Sequence, residues 1–94
     1  MPLTPDDHFD ALFDTILQLE TKEECYAFFE DLCTFGEITD MRDRLEVAAL
    51  LMNGSTYEQI EAQTHMSSAT ISRVNRCLQH GSGGYRNAIL KAKK

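Results

Sequence analysis

Residues 57–79, YEQIEAQTHMSSATISRVNRCLQ, decide the fold. Their spacing predicts two short helices joined by a tight corner. Ile60 and Thr64 share one face of the first helix. Ile71, Val74 and Leu78 recur at intervals of three and four on the second, the period of an inward-facing stripe. The corner is His65-Met66-Ser67: His65 falls where a left-handed residue is wanted, and Met66 can plug the angle between the helices. Ser67 is placed to cap the second helix, its hydroxyl accepting from a free backbone N–H. Away from the core this helix carries Ser67, Ser68, Ala69, Ser72, Arg73 and Arg76. Small side chains at its start let it approach base edges, and the arginines further along reach guanines or phosphates. The stretch reads as a helix-turn-helix that enters the major groove of double-stranded DNA.

The charge distribution agrees with that reading. The 94-residue chain has a net charge of −6, which by itself argues against a nucleic-acid partner. The charge is divided, however. Residues 1–40 hold eleven acids against Lys22 alone, a balance of −10, and residues 41–94 hold four acids against eight bases, a balance of +4. From His65 onward there is no acid at all, while Arg73, Arg76, Arg86, Lys91, Lys93 and Lys94 lie in that stretch. A partner responds to the local field more than to the total. No run approaches the roughly 18 apolar residues of a membrane span, and MPLTPDDH lacks the basic-then-apolar pattern of a signal peptide, so a cytoplasmic protein without a membrane partner is expected. Cys25, Cys33 and Cys77 are odd in number and form no C-x-x-C pair. They read as buried reduced thiols, not as a disulfide framework or zinc knuckle.

Taken in order, the chain predicts five to six helices and no strand. Thr4 is placed to cap the first, with Pro5 at its first position and Asp6 and Asp7 at its positive end. Phe9, Leu12, Phe13, Ile16 and Leu17 mark its apolar face up to about Glu20. Thr21-Lys22-Glu23-Glu24 has the spacing of a capping box and opens a second helix with an inward stripe of Cys25, Phe28, Phe29, Leu32 and Cys33. Its acids Glu23, Glu24, Glu30 and Asp31 belong to a solvated face. Thr34-Phe35-Gly36-Glu37 repeats the capping-box spacing and begins the longest helix, which stops at Asn53-Gly54. Ile38, Met41, Leu45, Ala48 or Ala49, and Met52 follow its inner face, broadened by Val47, Leu50 and Leu51. After the reader, His80-Gly81-Ser82-Gly83-Gly84 breaks the pattern. Tyr85 to Leu90 form a short last helix with Tyr85, Ile89 and Leu90 inward, and Lys91-Ala92-Lys93-Lys94 is a basic end. One domain follows, with dimerisation helices in 1–53, the reader in 54–80 and the last helix with its basic tail in 81–94. Two amphipathic helices and a broadly apolar long one are more than a reader needs for support, which points to dimerisation.

The run RLEVAALLMNGSTYEQIEAQTHMSSATISRVNRCLQHGSGGY, from Arg42 to Tyr85, resembles the Trp repressor superfamily, and in particular its short branch of TrpR-like YerC/YecD proteins. ATISRVNRCL and GYR are the strongest segments. The resemblance implies an all-α, intertwined homodimer whose two reading heads face successive major grooves, about 34 Å apart. In the Trp repressor the indole of tryptophan lies between two arginines, and Arg44 and Arg73 match them. Thr34 and Thr70 match other residues of that pocket, and Cys77 stands where a serine lies near the ligand amino group. The implied effector pocket is therefore Thr34, Arg44, Thr70, Arg73 and Cys77, for L-tryptophan or another small effector. No cofactor is required. Val74 replaces a glycine of the repressor, and a branched side chain there should crowd an indole. The plainer reading has Arg73 on a phosphate and Arg44 paired with Asp40 or Asp43. Glu58 and Glu61 stand where the repressor has basic residues that touch DNA. They either weaken phosphate binding or, for Glu58, accept from a cytosine amino group.

Three functional classes compete. The first is a homodimeric DNA-binding transcriptional regulator, a repressor in type. Ser67, Ser68, Ala69, Thr70, Ser72, Arg73 and Arg76 would face the groove, and Thr56 and Tyr57 would steady the backbone. The second is a protein-interaction module on a helix-turn-helix scaffold, favoured by the acidic N-terminal half. The third, an enzyme, is not supported. His8, His65 and His80 lie apart in sequence without metal-ligand spacing, and no motif sets a nucleophile beside a base.

Overall fold

The structure is a computed structural model that describes residues 3–93; residues 1–2 and Lys94, the last of the predicted basic end, lie outside the described residues. The fold is all-α. Six helices follow one another, and no strand occurs among the described residues: α1 Asp7–Leu17, α2 Lys22–Leu32, α3 Phe35–Met52, α4 Tyr57–Thr64, α5 Ser68–His80 and α6 Gly84–Ala92. The chain divides into two compact units, Met1–Ile38 and Thr39–Lys94.

In the first unit, the N-cap of α1 is Asp6, whose carboxylate accepts from the Phe9 N–H at 2.8 Å. This corrects the assignment of Thr4 as the cap. Thr4 and Pro5 precede the helix, and a charged oxygen two residues closer takes the free N–H. The helix ends at Leu17, short of Glu20, where Gln18 and Leu19 turn back onto Thr15 and Ile16. α2 is capped by Thr21 as expected, its hydroxyl accepting from the Glu24 N–H at 3.1 Å. The Glu24 carboxylate accepts from Glu20, one residue before the cap, so the box is displaced by one. Thr34 and Glu37 form the reciprocal box in full, at 2.8 and 3.1 Å.

Neither α1 nor α2 buries a residue completely. Leu12, Ile16, Phe28, Phe29 and Cys33 are half-buried, while Phe9, Phe13, Leu17 and Leu32 are exposed. Cys25, expected on the inward stripe, is exposed as well. Eleven-residue helices of this kind do not hold themselves together in water, since helical stability comes mainly from packing an apolar face.

The second unit contains all of the core: Val47 and Ala48 from α3, Ile60 from α4, Ile71 and Val74 from α5, and Ile89 from α6. Ala49, Leu50, Leu51, Met52, Met66, Leu78 and Tyr85 pack around them. Each fully buried isoleucine or valine contributes about 1.5–3 kcal/mol. The inner face of α3 matches the expected one in its second half and departs from it in the first. Val47 and Ala48 are buried, whereas Met41 and Leu45 face outward, and Leu90 of α6 is exposed. α3 ends as a Schellman motif: Gly54 donates to Leu51 and Ser55 to Leu50, with Gly54 at φ +87° where a side chain would be strained. Lys93 Nζ donates to Asn53 Oδ1 at 3.4 Å, tying the end of α6 to the end of α3.

Candidate nucleic-acid interface

The corner between α4 and α5 forms as its residues dictate. Thr56 caps α4 in a complete box with Gln59: the Gln59 N–H donates to the Thr56 hydroxyl, and the Thr56 N–H donates to Gln59 Oε1. At the other end His65 takes the left-handed conformation, φ 61° and ψ 16°, and its N–H closes onto Glu61. Thr64 Oγ1 donates back to Ile60 at 2.7 Å and accepts from the Met66 N–H, which fixes the two residues entering the turn. Met66 is half-buried against the core, in the angle between α4 and α5. Ser67 then caps α5, accepting from the Thr70 N–H at 3.2 Å and donating to the Thr70 hydroxyl at 3.1 Å. Ile60, Ile71 and Val74 lock the pair from inside.

With its inner face fixed, α5 has only one outer face to offer. Ser67, Ser68, Ala69, Ser72, Arg73 and Arg76 are exposed, and Thr70 is half-buried behind Ser67. Thr56 and Tyr57 are exposed at the start of α4. Arg73 and Arg76 form no ion pair among the described residues, so their guanidinium groups remain available to an anionic partner. Cys77 is exposed on the same helix; with Cys25 it corrects the expectation of buried thiols, Cys33 alone being half-buried.

A pocket of about 190 Å³ lies between α3 and α5, lined by Asp40, Arg44, Met66, Thr70 and Arg73. It brings together Arg44, Thr70 and Arg73 of the expected effector set. Thr34 belongs to the other unit, where it caps α3, and Cys77 is outside the lining. Val74 is 1% exposed and turned into the core, so its branched side chain does not occupy the pocket. Among the described residues neither Arg44 nor Asp40 forms an ion pair: Asp43, one of Arg44's expected partners, is taken by Arg42 at 2.9 Å, and Asp40 lines the pocket. Asp40 and Met66 were legible as lining residues, Asp40 from its place one turn before Arg44 and Met66 from its place at the corner. Sequence reasoning gave them other tasks. Among the described residues no group of three or more His, Cys, Asp or Glu could hold a metal, and no helix is long and apolar enough to cross a membrane.

Comparison with known proteins gives concordant results. Residues 7–93 match the Trp repressor protein family. The uncharacterized protein YerC of Bacillus subtilis strain 168 is 52% identical over 85 residues, spanning 90% of this chain and 82% of the relative. A crystal structure of a candidate Trp repressor from Staphylococcus aureus superposes with a TM-score of 0.90 at 46% identity, over 95% of this chain and 89% of the other. A TrpR-like protein from Eubacterium eligens ATCC 27750 gives 0.89 at 42% identity, over 94% and 91%.

Proposed function

The chain belongs to the Trp repressor protein family, and from that premise we propose that it is a sequence-specific, DNA-binding transcriptional regulator, a repressor acting as a homodimer in the cytoplasm. One observation carries the reading. α5 leaves a rigid, capped corner with small residues first, Arg73 and Arg76 next, and no acid anywhere along it. Such a helix fits a major groove, its arginines reaching guanine edges or phosphates. Ser67, Ser68, Ala69, Thr70 and Ser72 form the part that approaches the bases, and Thr56 and Tyr57 steady the backbone. Nothing in this reading calls for catalysis.

The homodimer is supported by the first unit, which exposes Phe9, Phe13, Leu17, Tyr26, Leu32 and Phe35 and buries nothing completely. Regulation by a small effector is supported by the pocket on α3 and α5, where Arg44, Arg73 and Thr70 converge and neither guanidinium forms an ion pair among the described residues. A ligand bridging them would brace the recognition helix against α3. With Val74 turned inward, L-tryptophan remains a reasonable first ligand to try.

The test is selection of bound duplexes from a random pool, with and without L-tryptophan. A two-fold-symmetric motif with half-sites about one helical turn apart is expected of a dimeric reader. Enrichment only with tryptophan would make it the effector. A folded dimer that enriches nothing at low salt would defeat the DNA reading and favour an interaction module built on the same scaffold, to which the acidic N-terminal half is suited.

A further inference from the structure

The pocket between α3 and α5 has a charge pattern of its own. Its walls carry two guanidinium groups, Arg44 and Arg73, and one carboxylate, Asp40, besides Met66 and Thr70. Arg44 is half-buried, Asp40 and Arg73 are exposed, and none of the three forms an ion pair among the described residues. Asp40 lies one turn before Arg44 on α3, the spacing at which an acid and a base on a helix commonly pair, yet no salt bridge joins them. Capping does not account for Asp40 either. Thr34 and Glu37 close the start of α3, and Asp40 stands beyond the first turn. The Ser67 hydroxyl donates to that of Thr70, which leaves the Thr70 hydrogen to be donated in turn.

These groups define a ligand by what each requires. A half-buried guanidinium without a counter-charge is costly, and a carboxylate is its best match. The two arginines come from different helices, so two separate anionic groups serve them better than one. Asp40 repels a ligand that is anionic throughout and accepts from one that carries an ammonium group. The three charged side chains of the wall sum to +1, and a ligand with two carboxylates and one ammonium group complements them with −1. At about 190 Å³ the pocket is smaller than the roughly 300–1,000 Å³ of sites for drug-sized molecules. Its one apolar side chain, Met66, suits a short aliphatic body and not a ring system. We propose that the pocket takes an acidic α-amino acid, its two carboxylates held by Arg44 and Arg73 and its ammonium group by Asp40. This rests on the effector reading above: it names the ligand class of that site and makes Asp40 its specificity-determining residue.

Calorimetric titration of the 94-residue chain, without DNA, compares L-glutamate, L-aspartate, L-glutamine, glutarate and L-tryptophan. An acidic amino acid should bind about tenfold more tightly than L-glutamine, which lacks the second negative charge, and than glutarate, which lacks the ammonium group. Asp40→Asn removes the counter-charge of the ammonium group at constant size, and helical content and melting temperature verify the fold. The variant should bind the acidic amino acid about tenfold more weakly and glutarate more tightly, reversing their order. An order unchanged in the variant, or no preference over L-glutamine and glutarate in the wild type, overturns the proposal. L-Tryptophan binding more tightly than either acidic amino acid overturns the ligand class and leaves the effector reading standing. Binding of none of these compounds defeats the effector reading and the proposal together, while the DNA reading is judged separately by the selected motif.

Discussion

At the start of α3 the Glu37 carboxylate accepts from the Thr34 backbone N–H, and this bond first, with the Thr34 hydroxyl second, holds its pKa below the ordinary value of 4.5. A carboxyl whose folded pKa is depressed contributes stability that is fully present above its unfolded value and is lost as pH falls through the folded one. Neutral solutions therefore retain the whole contribution, and it fades below about 4.5, in the acid range. Unfolding by urea across that range should show a shallower acid-side loss for Glu37→Gln than for the wild-type protein. Identical slopes would mean that the cap survives in the unfolded chain. The residues proposed to face DNA are tested differently. Arg76 is exposed, beyond the core-facing stripe and in no ion pair among the described residues, so Arg76→Ala should leave the melting temperature unchanged. If Arg76 grips a guanine in bidentate fashion, the same change weakens binding to the selected duplex by roughly 1–3 kcal/mol. Anisotropy titrations that overlay would remove Arg76 from the interface.

The elements differ in how much of them a sequence reveals. The His65 corner and the caps at Thr21, Thr34 and Ser67 were legible because each is decided within four residues, by a hydroxyl, a carboxylate or a left-handed backbone. Thr4 misled because Asp6 competes for the same free N–H, and two good caps in a row leave the choice to local geometry. Burial in α3 was less legible. Its apolar residues surround most of the helix, so periodicity alone does not say which of them face α4, α5 and α6 and which face away. Ala48, on the expected stripe, is in the core and Val47 from its broadened edge joins it, yet Met41 and Leu45 of the same stripe are exposed. Of the expected effector set, Arg44, Thr70 and Arg73 line one pocket between α3 and α5, a juxtaposition that spacing along the chain does not reveal, whereas Cys77 sits one turn further along and outside it. At the corner a sharp test is available. His65 at φ 61° carries a side chain where L-residues are strained, and branching at Cβ makes the strain worse. His65→Val should destabilise the chain by about 1–2 kcal/mol, while His65→Gly should be neutral or mildly stabilising. Thermal melts of the two variants check the pair, and equal melting temperatures would show that the corner relaxes without cost.

For the molecule as a whole the decisive contrast lies between its two units. Among the described residues every completely buried side chain belongs to residues 39–93, and residues 3–38 expose aromatic and aliphatic side chains, Tyr26 at 77% and Phe35 at 82%. A chain that folds with this much apolar surface uncovered gains by covering it, and the proposed homodimer would do so with the same surface twice. Leu45 separates that proposal from ordinary core damage. It is 49% exposed on α3 and absent from the core cluster, unlike Leu50 five residues on, which packs against it. Leu50→Glu would injure the single chain as well as any dimer, so its failure would not tell the two apart. Leu45→Glu introduces a carboxylate at a site that one chain leaves open to water; a monomer should tolerate it. In a dry dimer interface the same carboxylate lacks a partner and occurs twice. Association should then weaken by about 3 kcal/mol or more, roughly a hundredfold in dissociation constant. Sedimentation over a range of concentrations reads this directly, with circular dichroism reporting whether α5 and its corner persist. A Leu45→Glu protein that dimerises as tightly as the wild type would place Leu45 outside the interface. A shift to monomer with loss of DNA binding, the arginines of α5 untouched, would show that two reading heads held at a fixed separation are what make this small, mostly acidic chain a DNA-binding protein.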